Sequence, residues 1–163
     1  MSFFIIDTNV AIVANARGDE YETNCQISCV EKIRYICSTA KHRIVLDEEG
    51  EILKEYRAHL NAHGQPGVGD FFYRHLINFR GNQKRVTEVS LEKDATTNEY
   101  VAFPDHPDLN GFDHADRKFV AAALITKGTI LNAVDPDYSE HKAPLKACGV
   151  KVKELCPQCI NSN

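Results

Sequence analysis

The sequence holds no apolar run long enough to span a bilayer, which takes about 20 consecutive residues. Its opening stretch, Phe3-Phe4-Ile5-Ile6, is short and lacks the basic flank and small-residue cleavage site of a signal peptide. A soluble, cytoplasmic protein with no membrane partner is therefore expected. No segment is low in complexity and no repeat stands out. With 163 residues the chain can bury one core, so a single domain over 1–155 with a short tail, 156–163, is the expectation.

An excess of positive charge is also missing. The formal charge of -4 is not the footprint of a protein that grips nucleic acid by bulk electrostatics. It suits a chain that keeps uncompensated acids for divalent cations, since two magnesium ions bring the total to about zero. There is no GxSxG, no P-loop and no Cys/His pair of the kind that activates a side-chain nucleophile.

Six cysteines stand at 25, 29, 37, 148, 156 and 159. Reduced thiols fit the expected compartment. Cys25, Cys29 and Cys37 recur at helical spacing beside Ile27, Val30, Ile33 and Ile36, as small buried hydrophobes do. Cys156-Pro157-Gln158-Cys159 has metal or redox spacing, but no second CxxC accompanies it, and zinc needs four ligands. It is read as incidental tail thiols, with a redox pair or half of an intermolecular zinc site as alternatives.

What the chain does contain is a set of short apolar runs that end in carboxylates. Phe3-Phe4-Ile5-Ile6-Asp7 reads as a strand buried on both faces, ending in an acid beside Thr8 and Asn9. Helical spacing follows over about 9–16 and 24–41. Arg43 to Asp47 repeats the first design, and a helix is expected over about 51–62, with Ile52, Tyr56 and Leu60 as its stripe and Glu55 on the stripe's edge.

Residues 64–69, rich in glycine, must be a loop. A helix over about 70–79 follows, with Phe72, Leu76 and Phe79 at core spacing, then a strand over 86–91. Arg74, Arg80, Lys84 and Arg85 form either a solvated face or a phosphate-contacting rim. Residues 92–110 read mostly as loop with one short strand at 100–103, a length typical of a lid or an edge hairpin.

Phe112-Asp113-His114-Ala115-Asp116 opens a helix to about Lys127, with Val120 and Ala123 placing Asp116 at the head of the buried face. Strand 129–134 ends in Asp135-Pro136-Asp137-Tyr138. A helix over 140–147 and a strand over 150–152 complete the pattern. Helices alternating with short apolar strands predict a parallel sheet covered on both sides.

Each acid alone has a structural explanation, as a cap, a turn former or an ion-pair partner. Together, Asp7, Glu55, Asp116 and Asp135 are expected to reach one crevice. Carboxylates so crowded must neutralise unless a cation sits among them. Oxygen-only ligation selects magnesium or manganese, and such sites perform in-line phosphoryl chemistry.

In this order, Phe3–Asn9, the Ile52-Leu53-Lys54-Glu55-Tyr56 helix, Asp113-x-x-Asp116-x-x-Phe119-Val120-Ala121-Ala122-Ala123 and Asp135-Pro136-Asp137-Tyr138 resemble the four acidic motifs of PIN-domain nucleases. The resemblance implies a Rossmann-like three-layer α/β/α sandwich with a mainly parallel sheet, and metal-dependent cleavage of single-stranded RNA, as in toxins of bacterial toxin–antitoxin pairs. It makes Asp7, Glu55, Asp116 and Asp135 the catalytic metal ligands, with Asp113 and Asp137 in support and Asn9 or Thr8 orienting Asp7 or the attacking water. An antitoxin partner and a homodimer are implied too. Relative to compact toxins of the family, 64–111 is a longer insertion or lid.

Three readings compete. The first is an endoribonuclease, with DNA, single-stranded or flap-type, as the alternative substrate. The second is a phosphatase or phospho-accepting receiver, against which stand Asn9, where such a phosphatase carries a second aspartate, and the missing acid pair of a receiver. The third is a PIN fold kept as a binding module without activity.

Overall fold

The computed structural model describes residues 1–63 and 67–160. Five strands form one sheet in the order β3-β2-β1-β4-β5, and every neighbouring pair is parallel. They are β1 (Ser2–Ile6), β2 (His42–Asp47), β3 (Val86–Val89), β4 (Thr129–Asn132) and β5 (Lys151–Glu154). The opening apolar run is thus the central strand. Phe4 lies between Ile44 of β2 and Thr129 of β4, and Ile5 and Ile6 are fully buried. A run without polar alternation suits a strand covered on both faces.

The helices are α1 (Thr8–Asn15), α2 (Thr23–Ser38), α3 (Glu51–His59), α4 (Val68–Phe79), α5 (Arg117–Thr126), α6 (Asp137–Glu140), α7 (Lys142–Ala147) and α8 (Pro157–Ile160). Helices α1, α2 and α4 pack on one another, while α5 lies across β1 to β4. The result is the expected three-layer α/β/α, Rossmann-like sandwich. At Gly69 an added Cβ would stand 2.1 Å from the carbonyl oxygen of Ala11, so α4 approaches α1 at a distance only glycine allows.

The strand order runs 3-2-1 in one direction and 4-5 in the other, which makes the β1–β4 boundary the switch point of the sheet. Successive crossovers diverge there and leave a crevice beyond the strand ends, where ligands of open α/β sheets bind. Asp7 follows β1 and Asp135 follows β4 by three residues.

Several local expectations change. Residues 64–66 of the expected loop, and 161–163 of the tail, lie outside the described residues. The helix expected to open at Phe112 begins as a single 3-10 turn, His114–Asp116, before α5. No strand forms over 100–103; Tyr100 makes only an isolated antiparallel bridge with Lys93. The long connection is instead gathered by Arg117, which is buried and donates to the carbonyl oxygens of Leu109, Asn110 and Phe112 and to Glu99. Five guanidinium N–H groups let one side chain satisfy several loop carbonyls at once.

The cysteine expectation is corrected in part. Cys25 and Cys156 form a disulfide, so Cys25 is more than a packing residue and Cys156 is no incidental thiol. Cys29 and Cys37 are buried as expected. No helix among the described residues is long and apolar enough to cross a membrane.

Candidate metal centre

Asp7 leaves β1 in extended conformation and caps α1. Its Oδ1 accepts from the backbone N–H of Asn9 at 3.0 Å and from the Asn9 amide at 2.6 Å. Its other oxygen accepts from the Tyr138 hydroxyl at 2.8 Å. Because α1 starts immediately, the carboxylate cannot follow the strand into solvent, and it is 4% exposed. Burial is the main force that lifts its pKa from 3.8 to about 6; the bonds from Asn9 and Tyr138 oppose the rise, and the charges of Asp135 and Glu55 add to it.

Asn9 fixes the crevice. Its amide donates to Asn132 Oδ1 at 2.9 Å, while its own oxygen accepts from the N–H groups of Ala133 and Val134. The end of β1 is thereby stitched to the end of β4. Asn132, fully buried, in turn donates to the carbonyl of Asp135 and to Glu154, both at 2.7 Å. Asn132 was not singled out in the sequence, where an asparagine closing a strand looks like an ordinary turn residue.

Asp116 reaches the same place from the start of α5. Oxygens of Asp7, Asp116 and Asp135 all lie within 4.8 Å of one another. The Asp116 pKa is driven from 3.8 to about 9, first by burial, then by the charge of Asp7, then by its hydrogen bond to Asp135. Burial and mutual repulsion thus lift both Asp7 and Asp116 above the ordinary carboxylate range.

Glu55 does not join the three. Its two oxygens go to the Thr8 hydroxyl and to the ammonium of Lys118, in a close ion pair. Lys118 is 7% exposed and also donates to the Ala115 carbonyl. In the sequence Lys118 reads as a helix surface residue two positions after Asp116, so its pairing with Glu55 is not visible there. Thr8, expected to orient Asp7 or a water, is spent on Glu55.

The supporting acids face one another. Asp137 accepts the backbone N–H of Asp113 at 2.8 Å and pairs with His141 at 3.0 Å, and Asp113 caps the 3-10 turn through Ala115. They brace the loop that carries Asp116. Asp47, which ends β2 as Asp7 ends β1, accepts the N–H groups of Glu51 and Ile52 and serves as a cap for α3. Gly50, at φ +81°, turns the chain so that it can.

The expected basic rim is elsewhere. Arg80, Lys84 and Arg85 precede β3, at the edge where the parallel strands begin, whereas the acids gather where they end. Arg80 pairs with Glu88, Arg85 donates to the Cys37 carbonyl, and Arg74 turns to the carbonyl of Ala62. Lysines are found instead beside a cavity of about 530 Å³ lined by Lys142, Lys146, Lys151 and Lys153 together with Tyr138 and Glu154.

The donor set fits a hard divalent cation. Three carboxylate oxygens within 4.8 Å of one another are near enough to share one cation whose bonds are about 2.1 Å. Carboxylates alone favour magnesium or manganese over zinc. Comparison of the chain with protein-family models, with curated proteins and with solved structures returns no match.

Proposed function

We propose that the chain is a PIN-type nuclease, dependent on magnesium or manganese, that cleaves single-stranded RNA. The observation that carries this reading is the convergence of Asp7, Asp116 and Asp135 at the sheet's switch point, their oxygens within 4.8 Å of one another. Magnesium or manganese, when bound, supplies Lewis-acid polarisation of the phosphate and lowers the pKa of an attacking water.

The chain's own residues do the rest. Asp7, Asp116 and Asp135 would hold the cation, with Asn9 and Tyr138 aiming Asp7 and favouring its charged form. Lys118 sets one positive charge beside the acids and occupies Glu55, so three carboxylates, not four, are the ligands. Lys142, Lys146, Lys151 and Lys153 supply phosphate contacts along the cavity that shares Tyr138 with the centre. The family resemblance extends the reading to the toxin of a toxin–antitoxin pair acting as a homodimer.

The test is cleavage of end-labelled single-stranded RNA by the purified chain, with magnesium, manganese or a chelator, beside single-stranded DNA of the same sequence. Asp7→Asn and Asp116→Asn, shown folded by circular dichroism, are expected to lose at least about 100-fold, the scale of a lost electrostatic catalytic contact. Equal rates for wild type and both variants would falsify the assignment. Cutting of DNA alone moves the substrate, not the site.

A further inference from the structure

On the far side of the sheet from α5, a second cluster of ligand-type side chains has no part in the acid centre. Cys25 and Cys29 lie one turn apart near the start of α2, and Cys156 and Cys159 bracket the first turn of α8. Sulfurs of Cys25, Cys29 and Cys156 lie within 4.8 Å of one another, and all three residues are fully buried.

Cys159 is held close by. Its N–H donates to the Cys156 carbonyl at 3.0 Å, and the next residue back, Gln158, donates to Glu22, the N-cap of α2, at 3.1 Å. Glu22 also receives the Cys159 thiol at 3.9 Å. Three sulfurs therefore converge, and Cys159, three residues after Cys156, meets Glu22 at the start of α2; the two segments have C-x3-C and C-x2-C spacing.

We propose that Cys25, Cys29, Cys156 and Cys159 form a tetrathiolate zinc site that fastens the C-terminal segment to α2, and that the Cys25–Cys156 disulfide is the oxidised, metal-free state of the same cluster. Zinc takes thiolates tetrahedrally at about 2.3 Å, which spaces the sulfurs about 3.8 Å apart. Cys25 is in the first turn of α2 and Cys29 one turn later, so both present sulfur on the same side of the helix.

The two states interconvert with full balance. A dithiol reductant gives two electrons and two protons to the disulfide, frees the Cys25 and Cys156 thiols and becomes a disulfide itself. Zinc then displaces four thiol protons and forms four Zn–S bonds. In the oxidised state Cys25 and Cys156 offer no thiolate, and only two ligands remain.

The experiment uses the full chain, reduced by a phosphine without oxygen, stripped of metal and titrated with cobalt(II). One cobalt per chain is expected, with the intense thiolate-to-cobalt and d–d absorption of a tetrahedral site, and zinc should bleach it. Asp7→Asn should leave that spectrum unchanged, which separates it from any cobalt at the carboxylates. Cys29→Ser and Cys159→Ser should each reduce the absorption to less than about a tenth, and the oxidised wild type should show none. Reduced wild type without thiolate absorption overturns the site outright, independently of how the variants fold. A Cys159→Ser chain that keeps the wild-type spectrum overturns it as a four-sulfur site.

Discussion

The Tyr138 hydroxyl donates to Asp7 Oδ2 at 2.8 Å across 131 residues of sequence, and neither group is exposed by more than 4%. The bond favours the charged carboxylate. Tyr138→Phe should raise the pH midpoint of manganese binding and cost about 1–3 kcal/mol, the range for a buried hydrogen bond to a charged group. Calorimetric titration across pH and a denaturant melt measure the two effects. An unchanged midpoint would mean that Asp7 is not a ligand.

The metal-free protein should lose stability as pH rises. Asp7 and Asp116 are protonated in the folded state up to about pH 6 and about pH 9, whereas in the unfolded chain both ionise near the ordinary 3.8. Between those limits the folded state binds more protons, so each increase in pH favours unfolding. For Asp7 alone the rise corresponds to about 2–3 kcal/mol. In chelator, Asp116→Asn should melt higher than wild type at pH 9, with the gap narrowing toward pH 5. A gap that widens toward acid has the wrong sign for this centre.

On the proposed function, Lys118, paired with Glu55, would compete with a cation for the acid field. Lys118→Met frees Glu55 and removes a positive charge, so manganese should bind about tenfold more tightly, roughly 1.4 kcal/mol. The same change breaks a mostly buried ion pair, and thermal melts of the metal-free chain should show a loss of about 3 kcal/mol, the low end for such a pair because the Glu55 side chain is partly exposed. Weaker manganese binding would assign Lys118 a structural role only.

The lysine-lined cavity gives a salt prediction. If Lys142 and Lys146 each touch one phosphate, their double replacement by alanine should weaken RNA binding and make the slope of log K against log salt shallower by about 1.4. Replacing Arg80 and Lys84 should leave the slope as it is. Fluorescence anisotropy with a short RNA, in chelator to prevent cutting, reads both.

The sheet was legible because its strands are short unbroken apolar runs: Phe3 to Ile6 and Ile44 to Leu46 admit little else once helices separate them. The convergence of Asp7, Asp116 and Asp135 followed from strand-end and helix-start positions, which sequence periodicity does convey. Pairing of side chains does not follow from periodicity. Lys118 next to Glu55, Asn9 across to Asn132 and Arg117 inside the 109–112 turn join residues far apart in sequence or hidden at ordinary surface spacing. Of the two readings of the basic cluster before β3, a solvated face or a phosphate-contacting rim, sequence alone does not choose, because charge density does not say which edge of the sheet it occupies. The disulfide was missed because Cys25 fits a buried helical stripe equally well as a packing residue.

Strands β1 and β4 are neighbours in the sheet yet lie far apart along the polypeptide. A ribosome must therefore extend the nascent chain through Tyr138 before Asp7 meets either its hydroxyl partner or the other two acids. Until then β1 can pair only with β2, and no fragment ending earlier assembles the centre. Assembly of the three-carboxylate cluster is thus deferred until most of the chain has been made.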